Sequence, residues 1–256
     1  MKFFSDDPSS IVQAGEMVRF FTSTDPGYLH TLLLGGLALI TFTPQDLRKL
    51  TAGEGIKRNA SWRNRNNRIY TGEGWIVTQS PFGSPNAVML LEELVAFGVR
   101  RAIFLGYCGS LQEKIAVGDV VVPIETVREE GTSYHYLKNH EKSLPDQTLQ
   151  HQLFEWMDKI PLRVHRGKIW TTDAPYRETF KKANHYREEG ILGVDMEMSA
   201  VFALGMARHI SVGGILLVSD VLRETAWNIG FRSPALKITR DTVIQNLLTH
   251  VREMIP

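Results

Sequence analysis

The sequence is poor in cysteine, in long apolar runs and in charge of one sign. Its single cysteine, Cys108, excludes an intramolecular disulfide and a Cys-rich metal site. No His, Asp and Glu spacing resembles a metal site either, so no metal is expected. The longest apolar run, Leu32 to Phe42, is broken at Gly35, Gly36 and Thr41 and falls well short of the ~20 residues that span a bilayer. No membrane partner is expected. Charge nearly cancels, 29 Lys+Arg against 28 Asp+Glu, which argues against a polyanion-binding arm and for no nucleic-acid partner. The first residues, Met1 to Asp7, have no basic segment followed by an apolar core. With the lone cysteine, this gives the expectation of a cytoplasmic protein. There is no Pro/Ser linker, low-complexity tract or internal repeat, which favours a single domain over 1–256, residues 1–69 included.

What is present reads as alternating strands and helices. The run Leu32–Phe42 suggests one or two buried strands. Thr43 as N-cap and Pro44 at the first helical position then open a helix. Residues 53–68 hold five Lys/Arg among Asn and Gly, either a solvated loop or an anion site of guanidinium forks. Trp75–Gln79 reads as a strand, Asn86–Phe97 as a helix ended by Gly98, and Arg101–Leu105 as a strand closed by a tight turn at Gly106–Gly109. Further strands are expected at Val120–Pro123, Arg166–Thr171 and Gly214–Val218. Helices are expected at Tyr176–Glu188, Val194–Arg208 and Pro234–Met254. The pattern implies an α/β fold with a central, mostly parallel or mixed sheet.

Ligands in such folds collect at the carboxyl ends of strands. Gly106 and Gly109 would let a backbone N–H approach a ligand, or simply form a turn. Asp195 and Glu197 open a helix, where acidic residues suit the helix dipole. Alternatively, Glu197 accepts hydrogen bonds from a diol such as ribose 2′- and 3′-hydroxyls. Asp220 ends the most apolar strand. It is either a cap or an acid whose pKa burial raises, able to protonate a leaving group. His135 and Cys108 have no partner at a meaningful spacing and are not read as catalytic.

Six segments, GYCGSL (106–111), VGDVVVP (117–123), VREEGTSYHY (127–136), TTDAPYRET (171–179), GVDMEMSAVFA (193–203) and LVSD (217–220), together resemble the nucleoside phosphorylase/uridine phosphorylase superfamily. The resemblance covers roughly residues 70–250. It implies a single α/β domain whose mixed sheet is partly barrel-like, a homo-oligomer (dimer, trimer or hexamer), and cleavage of the N-glycosidic bond of a nucleoside. Phosphate would be the co-substrate and no cofactor would be needed. Glu197 then corresponds to the ribose-binding glutamate and Met196 to the methionine packing on the sugar. Val194, Pro175 and Tyr176 border the base. Asp220 matches the acid that serves N7 of a purine, with Arg232 near the arginine that supports it. Arg65 falls where an arginine reaches a phosphate site, with Gly106 and Tyr107 in the later phosphate turn.

Departures from the pattern are concentrated at phosphate. The family's early Gly-Asp-Pro-x-Arg loop is matched to Leu34–Ala38, which has neither Asp-Pro nor Arg. Phe104 and Tyr107 stand where the later turn carries an arginine and a serine or threonine. The expected activity is thus a purine-leaning nucleoside phosphorylase. A nucleosidase using water and a non-catalytic nucleoside-binding protein are the alternatives.

Overall fold

The computed structural model describes residues 3–7, 10–22, 36–59, 62 and 68–254. Ten strands form one sheet. In chain order they are β1 (Leu37–Thr41), β2 (Lys57–Arg58), β3 (Ile69–Thr71), β4 (Trp75–Gln79), β5 (Arg101–Ser110), β6 (Val120–Glu129), β7 (Val164–Thr172), β8 (Gly193–Asp195), β9 (Ser211–Leu222) and β10 (Trp227–Ile229). Their spatial order is β10-β9-β6-β7-β8-β5-β1-β4-β3-β2. A further parallel pairing of β9 with β5 closes β5, β9, β6, β7 and β8 into a ring. The sheet is mixed: β1–β4 and β1–β5 are parallel, whereas β5–β8 and β6–β9 are antiparallel.

Seven helices flank it among the described residues: α1 (Ala14–Thr22), α2 (Pro44–Leu50), α3 (Ser84–Ala96), α4 (Gln147–Met157), α5 (Phe180–Glu188), α6 (Met198–Arg208) and α7 (Pro234–His250). Strand β1 shows how the two faces are built. Its period of two sends Ala38 and Ile40 to a core shared with α3 and α6, and Leu37 and Leu39 to a core shared with α4 and α7. Strands covered on both faces read as unbroken apolar runs, and all of Leu37–Thr41 is buried. No described helix is long and apolar enough to cross a membrane.

Local signals held where capping chemistry is explicit. Thr43 caps α2, its Oγ1 accepting from Asp46 N at 3.1 Å with Pro44 in the first turn. Gly98, at φ 103°, follows α3 in a conformation that suits glycine.

Three expectations are corrected. Gly106–Gly109 is not a tight turn: β5 runs through it to Ser110, because β9 pairs along its whole length with an irregularity between Cys108 and Gly109. The expected helix from Val194 starts only at Met198, since Val194 and Asp195 pair with β7. Asp220 lies inside β9 rather than at its end, paired to Ile229 of β10. Of the basic stretch, Arg63 and Arg65 lie outside the described residues, as do residues 32–35 of the first apolar run.

Candidate active site

The short link between β8 and α6 carries the first acidic group. Asp195 performs the capping: its Oδ2 accepts from Glu197 N (2.9 Å) and Met198 N (2.7 Å), two of the donors a helix start leaves open. Its Oδ1 takes the Thr171 hydroxyl at 2.6 Å, and Thr171 Oγ1 accepts Ser199 N at 3.0 Å. The dipole reading therefore fits Asp195 and frees Glu197, which makes no cap bond. The Glu197 carboxylate is buried, and its Oε1 accepts Gly83 N at 2.6 Å. Ser84 Oγ donates to Met196 O at 2.8 Å, so the 83–84 and 196–197 segments are tied together. Burial, then the Asp195 charge, pushes Glu197 up to about 8. Met196 is half-buried.

Asp220 is brought in by register. Gly109 of β5 faces Asp220 on one side and Val194 on the other. A Cβ on Gly109 would stand 3.0 Å from Asp220 Oδ2, 3.4 Å from Val194 Cγ1 and 2.6 Å from Leu222 Cδ1. Glycine here is what lets the acid and the apolar residue share one space. Asp220 is buried, with Oδ1 accepting from Ser219 Oγ (2.6 Å) and Oδ2 from Trp227 Nε1 (2.7 Å). Trp227 was not singled out in the sequence; only β10 folding back along β9 puts its indole there. Arg232, expected beside the acid, is instead exposed in the turn before α7 and makes no hydrogen bond to Asp220.

A fourth carboxylate was missed. Between Asp173 and Phe180 every residue is exposed except Glu178, which is half-buried. No described residue hydrogen-bonds its side chain. Burial, then the Asp220 charge, pushes it up to about 7. The available signal was an acid inside the quoted TTDAPYRET segment, in the loop bordering the base. Pro175 and Tyr176 form a single 3-10 turn in that loop, with Tyr176 fully exposed. Asp195 and Asp220 also share Cys108 between them: burial, then both charges, pushes its thiol up, which leaves it a poor nucleophile. Asp195 thus acts on Glu197, Cys108 and Glu178, and Asp220 acts on Cys108 and Glu178.

The residues expected to hold phosphate are arranged differently. Gly106 is packed over by Phe42, whose ring would lie 3.3 Å from a Cβ there. Phe104 is fully buried and stacks on Phe42 with centroids 6.0 Å apart. Tyr107 gives its hydroxyl proton to Asp46 Oδ2 at 2.8 Å. Burial, then the Asp46 charge, pushes this phenol further up. Gly106 is buried, and Tyr107 is half-buried with its hydroxyl committed to Asp46. The early loop is also misplaced in the sequence reading, since Leu37 and Ala38 belong to β1.

A profile of the Phosphorylase superfamily matches residues 37–247. The chain belongs to the phosphorylase superfamily. Among its relatives is a guanosine phosphorylase of Halorubrum lacusprofundi, 31% identical over 156 residues, which are 61% of this chain and 65% of that protein. A DeoD-type purine nucleoside phosphorylase of Buchnera aphidicola subsp. Baizongia pistaciae is 27% identical over 59% of this chain and 64% of its own length. The match thus spans slightly under two thirds of these curated relatives. Two solved structures share the superfamily fold. A uridine phosphorylase from Vibrio fischeri ES114 has a TM-score of 0.76 at 21% identity, over 86% of this chain and 92% of that one. A purine nucleoside phosphorylase from Toxoplasma gondii in complex with immucillin-H has a TM-score of 0.77 at 21% identity, over 87% and 92%.

Proposed function

We propose that this superfamily member is an enzyme of the nucleoside phosphorylase type, cleaving the N-glycosidic bond of a purine nucleoside to release the free base. The observation that carries this reading is the register placing Asp220 and Val194 across Gly109, in the same buried acidic neighbourhood as Glu197. In this reading the vicinal ribose hydroxyls donate to Glu197 and thereby favour its charged form, since a carboxylate can accept several donors at once. Met196 packs on the sugar and Val194 on the base.

Cleavage passes through an oxocarbenium-like sugar, while the base leaves as an anion unless it is protonated. A carboxylate near the sugar and an acid at the base both favour that transition state over the bound substrate. Asp220 serves N7 of the purine, held in place by Trp227 and Ser219. Glu178 faces the same base and accepts a ring N–H. Two carboxyl groups suit a 6-oxopurine, which offers N7 as an acceptor and N1–H as a donor. Uracil presents two carbonyls that call for donors, and the described neighbourhood offers few. The relatives' names divide between purine and uridine.

The test is a panel of purine and pyrimidine nucleosides incubated with the protein, with phosphate and without, and assayed for free base by chromatography. Release from guanosine or inosine ahead of uridine is expected. Release from none of them overturns the enzyme reading, and tight binding without release would make the chain a nucleoside-binding protein. A homo-oligomer is the assembly proposed with this activity, checked by sedimentation.

A further inference from the structure

The loop after β1 reads Phe42-Thr43-Pro44-Gln45-Asp46. Set against Gly-Asp-Pro-x-Arg with the prolines in register, Phe42 stands at the glycine and Asp46 at the arginine. Spatial contacts support this register independently. Asp46, in the arginine's place of the early loop, is hydrogen-bonded to Tyr107, in the hydroxyl's place of the later segment. Phe42, at the glycine, stacks on Phe104, at the second arginine, and also covers Gly106. The positions that should surround one anion do meet, but with their chemistry changed. Two arginines have become an acid and an apolar ring, and a small hydroxyl has become a phenol committed to that acid.

Charge and access point the same way. Asp46 is fully buried, and its Oδ2 also accepts from Thr43 Oγ1 at 2.7 Å. The nearest cation, Arg240, has its Nε 3.7 Å from Asp46 Oδ1 and 3.3 Å from Asp241 Oδ1, while Lys49 also pairs with Asp241 at 2.8 Å. Around Asp46 two cations already face two carboxylates, and an entering phosphate dianion would be repelled by Asp46. Asp46 Oδ1 has no hydrogen-bond partner. It is an acceptor suited to the O–H of a neutral molecule.

We infer that in this chain Asp46, Tyr107, Phe42 and Phe104 close the anion subsite, and that the ribosyl acceptor is water. The inference rests on the cleavage reading above and specifies its second substrate. In the reaction the water oxygen forms the bond to C1′, and the C1′–N9 electron pair leaves with the purine. The purine gains one proton and the attacking water loses one, so the products are ribose and free base with nothing else consumed.

The deciding experiment measures base release from guanosine and inosine by the wild-type protein in phosphate-free and phosphate-containing buffer, with the sugar product identified by 31P and 1H NMR. Rates equal within about twofold, with ribose as the product, are expected. A phosphate requirement, or ribose 1-phosphate as the main product, overturns the inference while leaving the cleavage reading intact. Phosphate held in the adjoining cavity of about 300 Å³, lined by Pro44 of this same loop together with Arg48 and Arg68, would appear as that requirement. If no base is released under either condition, the cleavage reading fails and calorimetry with inorganic phosphate decides the subsite. No saturable binding supports closure; saturable binding overturns it.

Discussion

Strand β5 carries two polar neighbourhoods a few residues apart, and they are built on opposite principles. Around Gly109 the absence of a side chain lets the neighbouring strands approach closely, and carboxylates gather: Asp220, Asp195, Glu178 and, beyond them, Glu197. Around Phe104 and Tyr107 aromatic side chains dominate. Rings stack, and the one buried acid is paired with a phenol and set against an arginine. Buried carboxylates without cations are costly unless something else donates to them. In the first, protein donors reach both oxygens of Asp195 and of Asp220; in the second, Asp46 Oδ1 has no hydrogen-bond partner. On the proposed reading, sugar and base recognition can persist with a rebuilt acceptor end, because Glu197, Val194 and Asp220 are distinct from Phe42, Asp46, Phe104 and Tyr107.

The sharpest way to break this contrast is Asp220→Asn. It keeps an oxygen to accept from Trp227 Nε1, turns the Ser219 contact into one donated by the amide, and removes the carboxyl proton donor. Turnover of a purine nucleoside should fall by about 10²–10⁴-fold with binding retained, measured by steady-state kinetics beside calorimetry; unchanged turnover would remove Asp220 from the reaction. Next in size is Trp227→Phe, which keeps the ring and deletes the N–H to Asp220 Oδ2. Losing one hydrogen bond to a charged group is worth about 1.5–3 kcal/mol, so a fall in kcat of roughly tenfold to a hundredfold is expected, with KM little changed.

A pH experiment separates the two neighbourhoods by stability. Glu197 is pushed up to about 8 in the folded protein, above the roughly 4.3 of an unfolded glutamate. The folded state therefore binds the extra proton between these values, and stability must fall as pH rises through that window. Thermal midpoints of the wild type should decline from pH 5 toward pH 8, and Glu197→Gln should flatten the decline. An identical slope in the variant would place the proton elsewhere. The smallest expected effect is that of Arg232→Ala. Exposed and not bonded to Asp220, it should alter kcat/KM by less than about twofold; a large loss would restore the arginine to the acid's side.

The features legible in the sequence were those that local chemistry sets. Thr43 and Pro44 start α2, Gly98 follows α3, and the acidic run before α6 does hold the cap, although it falls to Asp195. The segments that carried the family resemblance also contain Glu197 and Asp220, both of which are buried. What escaped was set by pairing between distant strands. Gly106–Gly109 looks like a turn until β9 is laid beside it. Val194 and Asp195 look helical until β7 claims them. Trp227 has no local mark of its role, since it reaches Asp220 only through the antiparallel return of β10. The early phosphate loop was set against Leu34–Ala38, eight residues before Phe42–Asp46, because the glycines that break the apolar run, Gly35 and Gly36, precede β1 rather than follow it.

The indole bound to Asp220 has one more use. Trp62, Trp75, Trp156 and Trp170 are all buried, whereas Trp227 is 55% exposed. A dissolved quencher such as iodide would reach that single fluorophore and spare the other four. Because its N–H sits on the carboxylate assigned to the leaving base, the quenchable fraction of the emission is a built-in optical gauge of whether that pocket is occupied, readable without labels or turnover.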